Sequence, residues 1–189
     1  MTIGESSDNN AVEVDGIRFE TILSNPVLSI PVKKANSNGY TSVELGMKIT
    51  NATPNPLYFT GYTTLIPELL EPDGQIIEWG RASNCVRGPS ASDFLLALPG
   101  ESVTFFPITV LFWIEGYGAS LSIDYGDGSI WGSDTVKPGR YQFRFRYQKI
   151  FDPRGEIIYR QQEIEQKLLE QVWFGRVDTP FVELHLVKP

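Results

Sequence analysis

Hydrophobic and polar residues alternate with a period of two along much of the chain, which is the pattern of strands with one buried face. The alternation is clearest in the segments SVELGMKIT (42–50), RYQFRFRYQ (140–148) and FVELHLV (181–187). Their apolar positions are Val43, Leu45, Met47, Ile49, Tyr141, Phe143, Phe145, Tyr147, Val182, Leu184 and Leu186. We expect each segment to form a strand whose other face is solvated, as is usual in antiparallel sheets.

Turn residues separate these strands. The segments EPDGQII (71–77) and DPRGEII (152–158) each place Pro at the second position of a turn and Gly at the fourth. Because Pro favours a type I turn and Gly tolerates the positive φ that follows it, both segments predict hairpins with a bulge. The segments LPGES (98–102) and KPGRY (137–141) predict strands that begin after Pro-Gly turns.

One segment departs from the β pattern. RQQEIEQKLLEQV (160–172) has aliphatic residues at helical spacing, namely Ile164, Leu168, Leu169 and Val172, so we predict a short α-helix over about residues 160–171. The remaining short strands and turns predict an all-β fold, an elaborated antiparallel β-sandwich with inserted hairpins. We expect a single domain over residues 11–189, preceded by a disordered polar tail over residues 1–10.

Four segments between Ile49 and Tyr147 follow one another in a recognisable order: ITNATPNPLYF, EPDGQIIEW, LPGESVTF and KPGRYQFRFRY. This order resembles the intracellular immunoglobulin-like domains typified by the bacterial intracellular proteinase inhibitor family, and the resemblance covers about half of the chain. It implies an immunoglobulin-like antiparallel β-sandwich. It also implies protease inhibition, but no reactive loop matches residue by residue, so only the architecture is transferred.

Composition and charge narrow the functional classes. The chain has 189 residues, a formal net charge of −7 and scattered basic residues, which argues against nucleic acid as a partner because that binding depends on a basic surface. The single cysteine, Cys85, permits no intramolecular disulfide, and the polar N-terminus lacks the features of a signal peptide. The longest apolar run, FFPITVLFWI (105–114), is shorter than the roughly 20 residues of a membrane span. We expect a cytoplasmic protein without a membrane span.

Three carboxylates cluster around the segment SIDYGDGSIWG (122–132): Asp124, Asp127 and Asp134. A calcium loop of the EF-hand type that began at Asp124 would need oxygen ligands at its third, fifth and twelfth positions. Those positions hold Gly126, Gly128 and Thr135. We therefore interpret the segment as a hairpin turn over residues 125–128, with a weak metal site of another geometry as the alternative.

Catalytic patterns are weak. The single histidine, His185, lies on the predicted solvent-facing side of a strand, and no G-x-S-x-G motif accompanies it. One His and one Cys are too few for a structural zinc site. The sequence therefore favours a non-catalytic protein without cofactor or metal, and a hydrolase with paired carboxylates or a small-ligand-binding protein is the alternative.

Aromatic residues are concentrated in two inserted segments, VLFWIEGYGASL (110–121) and SIWGSD (129–134), and the helical segment leads into VWFGRV (172–177). Loops on a rigid sandwich commonly bind partners, and Tyr and Trp dominate interface hot spots. We predict contact with a protein partner, or self-association, through Phe112, Trp113, Tyr117, Tyr125, Trp131, Ile164, Leu168 and Trp173. The alternative is that these side chains fill an enlarged core.

The strand at 140–148 also carries two outward arginines, Arg144 and Arg146. If this strand pairs with the one at 181–187, the arginines are expected beside Glu183 and His185, where opposite charges would pair across the strands.

Overall fold

The computed structural model describes residues 10–32, 39–83, 88–114, 118–149 and 166–188, and most of these residues lie in β-strands. The strands, in chain order, are β1 (Ala11–Val14), β2 (Ile17–Leu23), β3 (Val27–Ser29), β4 (Tyr40–Val43), β5 (Leu45–Asn51), β6 (Leu57–Thr60), β7 (Leu65–Leu70), β8 (Trp79–Ser83), β9 (Phe94–Ala97), β10 (Ser102–Phe105), β11 (Ile108–Ile114), β12 (Gly118–Asp124), β13 (Ser129–Ser133), β14 (Gly139–Lys149), β15 (Gly175–Asp178) and β16 (Val182–Val187).

The strands form three larger sheets and one pair. A four-stranded sheet has the order β1-β2-β5-β10, and a five-stranded sheet has the order β4-β11-β12-β13-β8. The second five-stranded sheet has the order β15-β14-β16-β3, with β7 on the other side of β14, and β6 pairs with β9. Among the described strand pairs only β16 and β3 run parallel. The predicted all-β fold with several antiparallel sheets is confirmed.

The α-helix in the described part of the chain, α1 (Gln166–Glu170), lies inside the predicted helix. Gln171, the last residue of that prediction, lies in a turn after α1. Residues 160–165 of the prediction lie outside the described residues, as do the turn predicted at 152–158 and Cys85. No helix among the described residues is long and apolar enough to cross a membrane.

Side chains from the three larger sheets meet in one hydrophobic core. Phe19 of β2, Leu121 of β12 and Phe143 of β14 are each buried there. The ring centroids of Phe19 and Tyr147 lie 5.5 Å apart, which joins the four-stranded sheet to the second five-stranded sheet. The apolar positions predicted from the alternation are all buried, except Val182, which is half-buried. The period-two pattern therefore identified the inward faces correctly.

The segment 42–50 was predicted as one strand, and that prediction is wrong in one respect. The chain leaves one sheet at Val43 in β4 and enters another at Leu45 in β5, so the segment is two strands. A Cβ atom at Gly46 would lie 2.5 Å from the carbonyl oxygen of Phe105. The missing side chain therefore lets the chain pass close to Phe105, where it changes sheets over the shared core.

The predicted turns are present where the structure describes them. Gly74 has φ +85° and donates its N–H to the carbonyl of Glu71 at 2.9 Å, which closes the turn at 71–74. Strand β10 begins at Ser102, two residues after Gly100 of the first Pro-Gly pair, and β14 begins at Gly139, the glycine of the second pair. The hairpin predicted at 125–128 joins β12 to β13, with Gly126 at φ +70° and Gly128 at φ +88°.

Candidate functional site: the outward faces of two sheets

The predicted inserted segments build most of the sheet β4-β11-β12-β13-β8. In its register Ile108 of β11 faces Asp124 of β12, and Phe112 faces Ser120. Leu111 and Leu121, also opposite each other, are buried in the core. Because side chains alternate between the two sides of a strand, the residues between these core positions point away from the core.

We call this outward side the apolar face. Its strand residues are Tyr40, Ser42, Gly80, Ala82, Ile108, Val110, Phe112, Ile114, Gly118, Ser120, Ser122, Asp124, Ile130 and Gly132. Asp124 is the one charged residue among them, and its Oδ1 accepts a hydrogen bond from the backbone N–H of Gly126 at 2.8 Å. Tyr40 is 69% exposed and Ile108 is 68% exposed. Apolar side chains thus reach solvent along β11 on a face with almost no charge.

The outward side of the second five-stranded sheet, which we call the ionic face, has the opposite character. Glu68 of β7 lies between two arginines of β14, with Oε2 2.6 Å from Nη2 of Arg144 and Oε1 2.5 Å from Nη2 of Arg146. Arg146 also donates from Nε to Oδ1 of Asp178 on β15. The Arg144 guanidinium lies 4.4 Å from the centroid of the Phe181 ring. Each of these charges therefore has a partner within the face.

Burial acts to raise the pKa of Asp178. The hydrogen bond from Arg146 and the charges of Arg146, Arg144 and Arg176 lower this pKa, and together they outweigh the effect of burial. The pKa of this carboxyl is therefore held below its usual value.

The predicted contact between the arginines and β16 is wrong, although β14 and β16 do pair. Their register sets Arg140 opposite His185 and Gln142 opposite Glu183, and the pairing ends at Phe143. Arg144 and Arg146 lie beyond that end, where β7 and β15 are their neighbours.

The predicted partner-binding residues do not share one surface. Four of them are partly buried and pack against the core, namely Trp113, Tyr125, Trp131 and Trp173. The ring centroids of Trp173 and Phe19 lie 5.1 Å apart. Leu168 packs against a smaller cluster with Phe94 and Val172. Phe112 is half-buried on the apolar face. Tyr117 and Ile164 lie outside the described residues.

Sequence reasoning missed the other members of the apolar face, above all Tyr40, Ile108 and Ile130. The signal was obscured because β11, ITVLFWI, is apolar at most positions on both sides. Such a strand predicts that both of its faces are buried, and in the structure one of them packs against the core.

The turn between β12 and β13 is tightly built. Asp127 is buried, and its Oδ1 accepts hydrogen bonds from the backbone N–H of Ser129 at 2.7 Å and from the hydroxyl of Ser129 at 2.5 Å. Burial, followed by the neighbouring Asp127 charge, raises the pKa of Tyr125. Within the described ranges no three His, Cys, Asp or Glu side chains come together to hold a metal ion. The two hydrogen bonds accepted by Asp127 shape the hairpin.

Comparison with known proteins identifies no relative: no protein-family model, curated protein or solved structure matches the chain.

Proposed function

We propose that this protein is a non-catalytic binding module that docks a protein partner on the apolar face. The observation that carries the proposal is the row of Ile108, Val110, Phe112 and Ile114 along β11, with Tyr40 beside Phe112. The row extends for about 20 Å at the rise of an antiparallel strand. Solvated sheet faces ordinarily alternate with polar residues, and contiguous exposed apolar surface marks interaction sites.

The neighbouring residues make this face suited to a flat protein surface. Ser42 of β4 and Ser122 of β12 lie opposite Val110 on the strands beside β11, and their small side chains leave the larger residues of β11 accessible. Phe112 and Tyr40 supply aromatic rings, the residue class that anchors many interfaces. Since Asp124 alone is charged, covering the face with an apolar partner costs little desolvation energy.

The immunoglobulin-like type of the sandwich and a cytoplasmic location belong to the same proposal. In support of the fold type, the Tyr141 hydroxyl bonds to the backbone four residues upstream: it donates to the carbonyl of Lys137 and accepts from its N–H, both at 2.9 Å. A tyrosine in this arrangement at a strand entry is a hallmark of immunoglobulin-like sandwiches. A protease, which the family resemblance implies, would be one class of partner for such a module.

The proposal is tested by removing the two aromatic rings together. We expect the variant Tyr40→Ser/Phe112→Ser to lose a partner that the tagged parent protein captures from extracts of its source cells. The matched control is Arg140→Ser/Gln142→Ser, which changes two exposed residues on the ionic face. Thermal unfolding of both variants verifies that each is folded.

Retention of the same partner at the parent level by the aromatic-ring variant would contradict the proposal. Loss of the partner by the ionic-face control alone would also contradict it, because the binding surface would then lie on the ionic face. Sedimentation of the purified parent distinguishes a foreign partner from a second copy of this chain.

A further inference from the structure

A cavity of about 530 Å³ lies where elements of the two five-stranded sheets meet. Its apolar walls include Trp113 of β11, Ala119 of β12, Ile30 after β3 and Val136 before β14. The volume falls within the roughly 300–1,000 Å³ range of small-molecule sites. The cavity lies on the inner side of the sheet whose outer side is the apolar face, so it is a separate feature.

Hydrogen bonds hold the walls of this cavity in place. The N–H of Val136 donates to the carbonyl of Ala119 at 2.8 Å, and the N–H of Ile30 donates to the carbonyl of Val187 at 2.9 Å. The backbone of Lys137 is bonded to the Tyr141 hydroxyl through both its N–H and its carbonyl. The site is therefore formed before any ligand arrives, which reduces the entropy cost of binding.

The charged side chains among the described lining residues of the cavity have one sign. Lys137 and Lys188 line it, and the described lining residues include no Asp or Glu, although the chain as a whole carries a net charge of −7. Both lysines are exposed, so their ammonium groups reach solvent while the apolar walls lie deeper. This combination matches a ligand with a hydrocarbon part and a single anionic head.

We propose that this cavity binds an amphiphilic monocarboxylate of the fatty-acid class. The hydrocarbon chain contacts Trp113, Ile30 and Val136, and the carboxylate interacts with Lys137 and Lys188 at the rim. The proposal is independent of partner docking, because the described lining of the cavity shares only one residue, Gly118 at the start of β12, with the apolar face.

Dodecanoate, used below its micelle concentration, is the probe. By titration calorimetry we expect one site per chain, and an affinity for dodecanoate about tenfold or more above that for dodecyltrimethylammonium, which has the same tail and the opposite charge. The variant Lys137→Gln/Lys188→Gln should lose about tenfold in affinity for dodecanoate. Arg140→Gln, an exposed charge on the ionic face, should bind as the parent does.

A second pair of variants locates the site. Val32 lines the cavity and is exposed, so Val32→Glu should fold normally and weaken dodecanoate binding by placing an acid among the lysines. Trp113→Phe should abolish most of the change in tryptophan fluorescence caused by dodecanoate. Equal affinity for the two head groups, parent-like binding by the double lysine variant, or an unchanged fluorescence response in Trp113→Phe would each overturn the proposal.

Discussion

The solvent-facing sides of the two five-stranded sheets differ in chemical character, since one carries paired charges and the other carries apolar side chains. On the ionic face, the outward residues of β14 include Arg144 and Arg146, and both bond to Glu68 across the strand boundary. On the apolar face, the outward residues of β11 include Ile108 and Phe112, and Val110 between them lies opposite Ser42 and Ser122 of the two adjacent strands. The two faces belong to one fold and cover one core.

The two faces differ in the free energy that is gained or lost when a partner displaces water from them. The carboxylate of Glu68 and its two arginines are already paired, but covering them would still remove their hydration. The contacts made by a partner would have to offset that desolvation free energy. The apolar face has one charge to desolvate and several hydrophobic side chains that gain from burial. Of the two faces, the apolar one is therefore suited to bind, and the ionic one to stay in water.

The largest expected effect tests which side of the apolar-face sheet points inward. Trp131 packs against the core, with Arg81 stacked 5.7 Å from its ring centroid, so Trp131→Ala should lower the free energy of unfolding by about 3 kcal/mol. Phe112→Ala, on the other side of the same sheet, should cost only about 1 kcal/mol. Chemical denaturation measures both values. Similar losses for the two variants would mean that both sides are buried.

The next effect tests the ionic face. Glu68→Gln removes the negative charge that pairs with both Arg144 and Arg146. Because the side chains of these arginines are only about 20% exposed, the substitution should lower the free energy of unfolding by about 2 kcal/mol. The control is Glu183→Gln on the same face, because Glu183 lies 3.9 Å from Arg140 and both side chains are more than half exposed. That control should cost about 0.5 kcal/mol or less. Equal effects in urea denaturation would show that the network contributes no more than an exposed pair.

The smallest expected effect is on the stability of the protein at acidic pH. The pKa of Asp178 is lower in the folded than in the unfolded protein, so its carboxylate stabilises the fold above the unfolded pKa of about 4. That contribution is lost as the pH falls through the folded pKa. The stability difference between the parent and Asp178→Asn should therefore be constant near neutrality and shrink below about pH 4. Unfolding curves at a series of pH values measure this difference, and one that stays unchanged in acid would contradict the predicted effect.

The sequence predicts elements best where local residue types alternate or where turn residues are specific. Strand β14 was predicted with its correct inward residues because Tyr and Phe alternate with Arg and Gln. The hairpin at 71–77 followed from Pro72 and Gly74 in the same way. Both signals are contained within a few neighbouring residues.

The candidate site could not be predicted in the same way, because it depends on strand order. Arg144 meets Glu68, which is 76 residues away in the chain, and only the pairing of β14 with β7 brings them together. The apolar face likewise requires Tyr40 to lie beside Phe112. The alternation within β11 could not identify its outward side, since both of its sides are largely apolar.

Photo-cross-linking in living source cells compares the two faces most directly. The cross-linker p-benzoylphenylalanine is placed at Tyr40 on the apolar face or, as the matched position, at Gln142 on the ionic face; both sites are exposed. We expect a discrete protein adduct from position 40 and none of that size from position 142. The same adduct at equal yield from both positions, or an adduct from position 142 alone, would contradict the assignment of the apolar face as the docking surface.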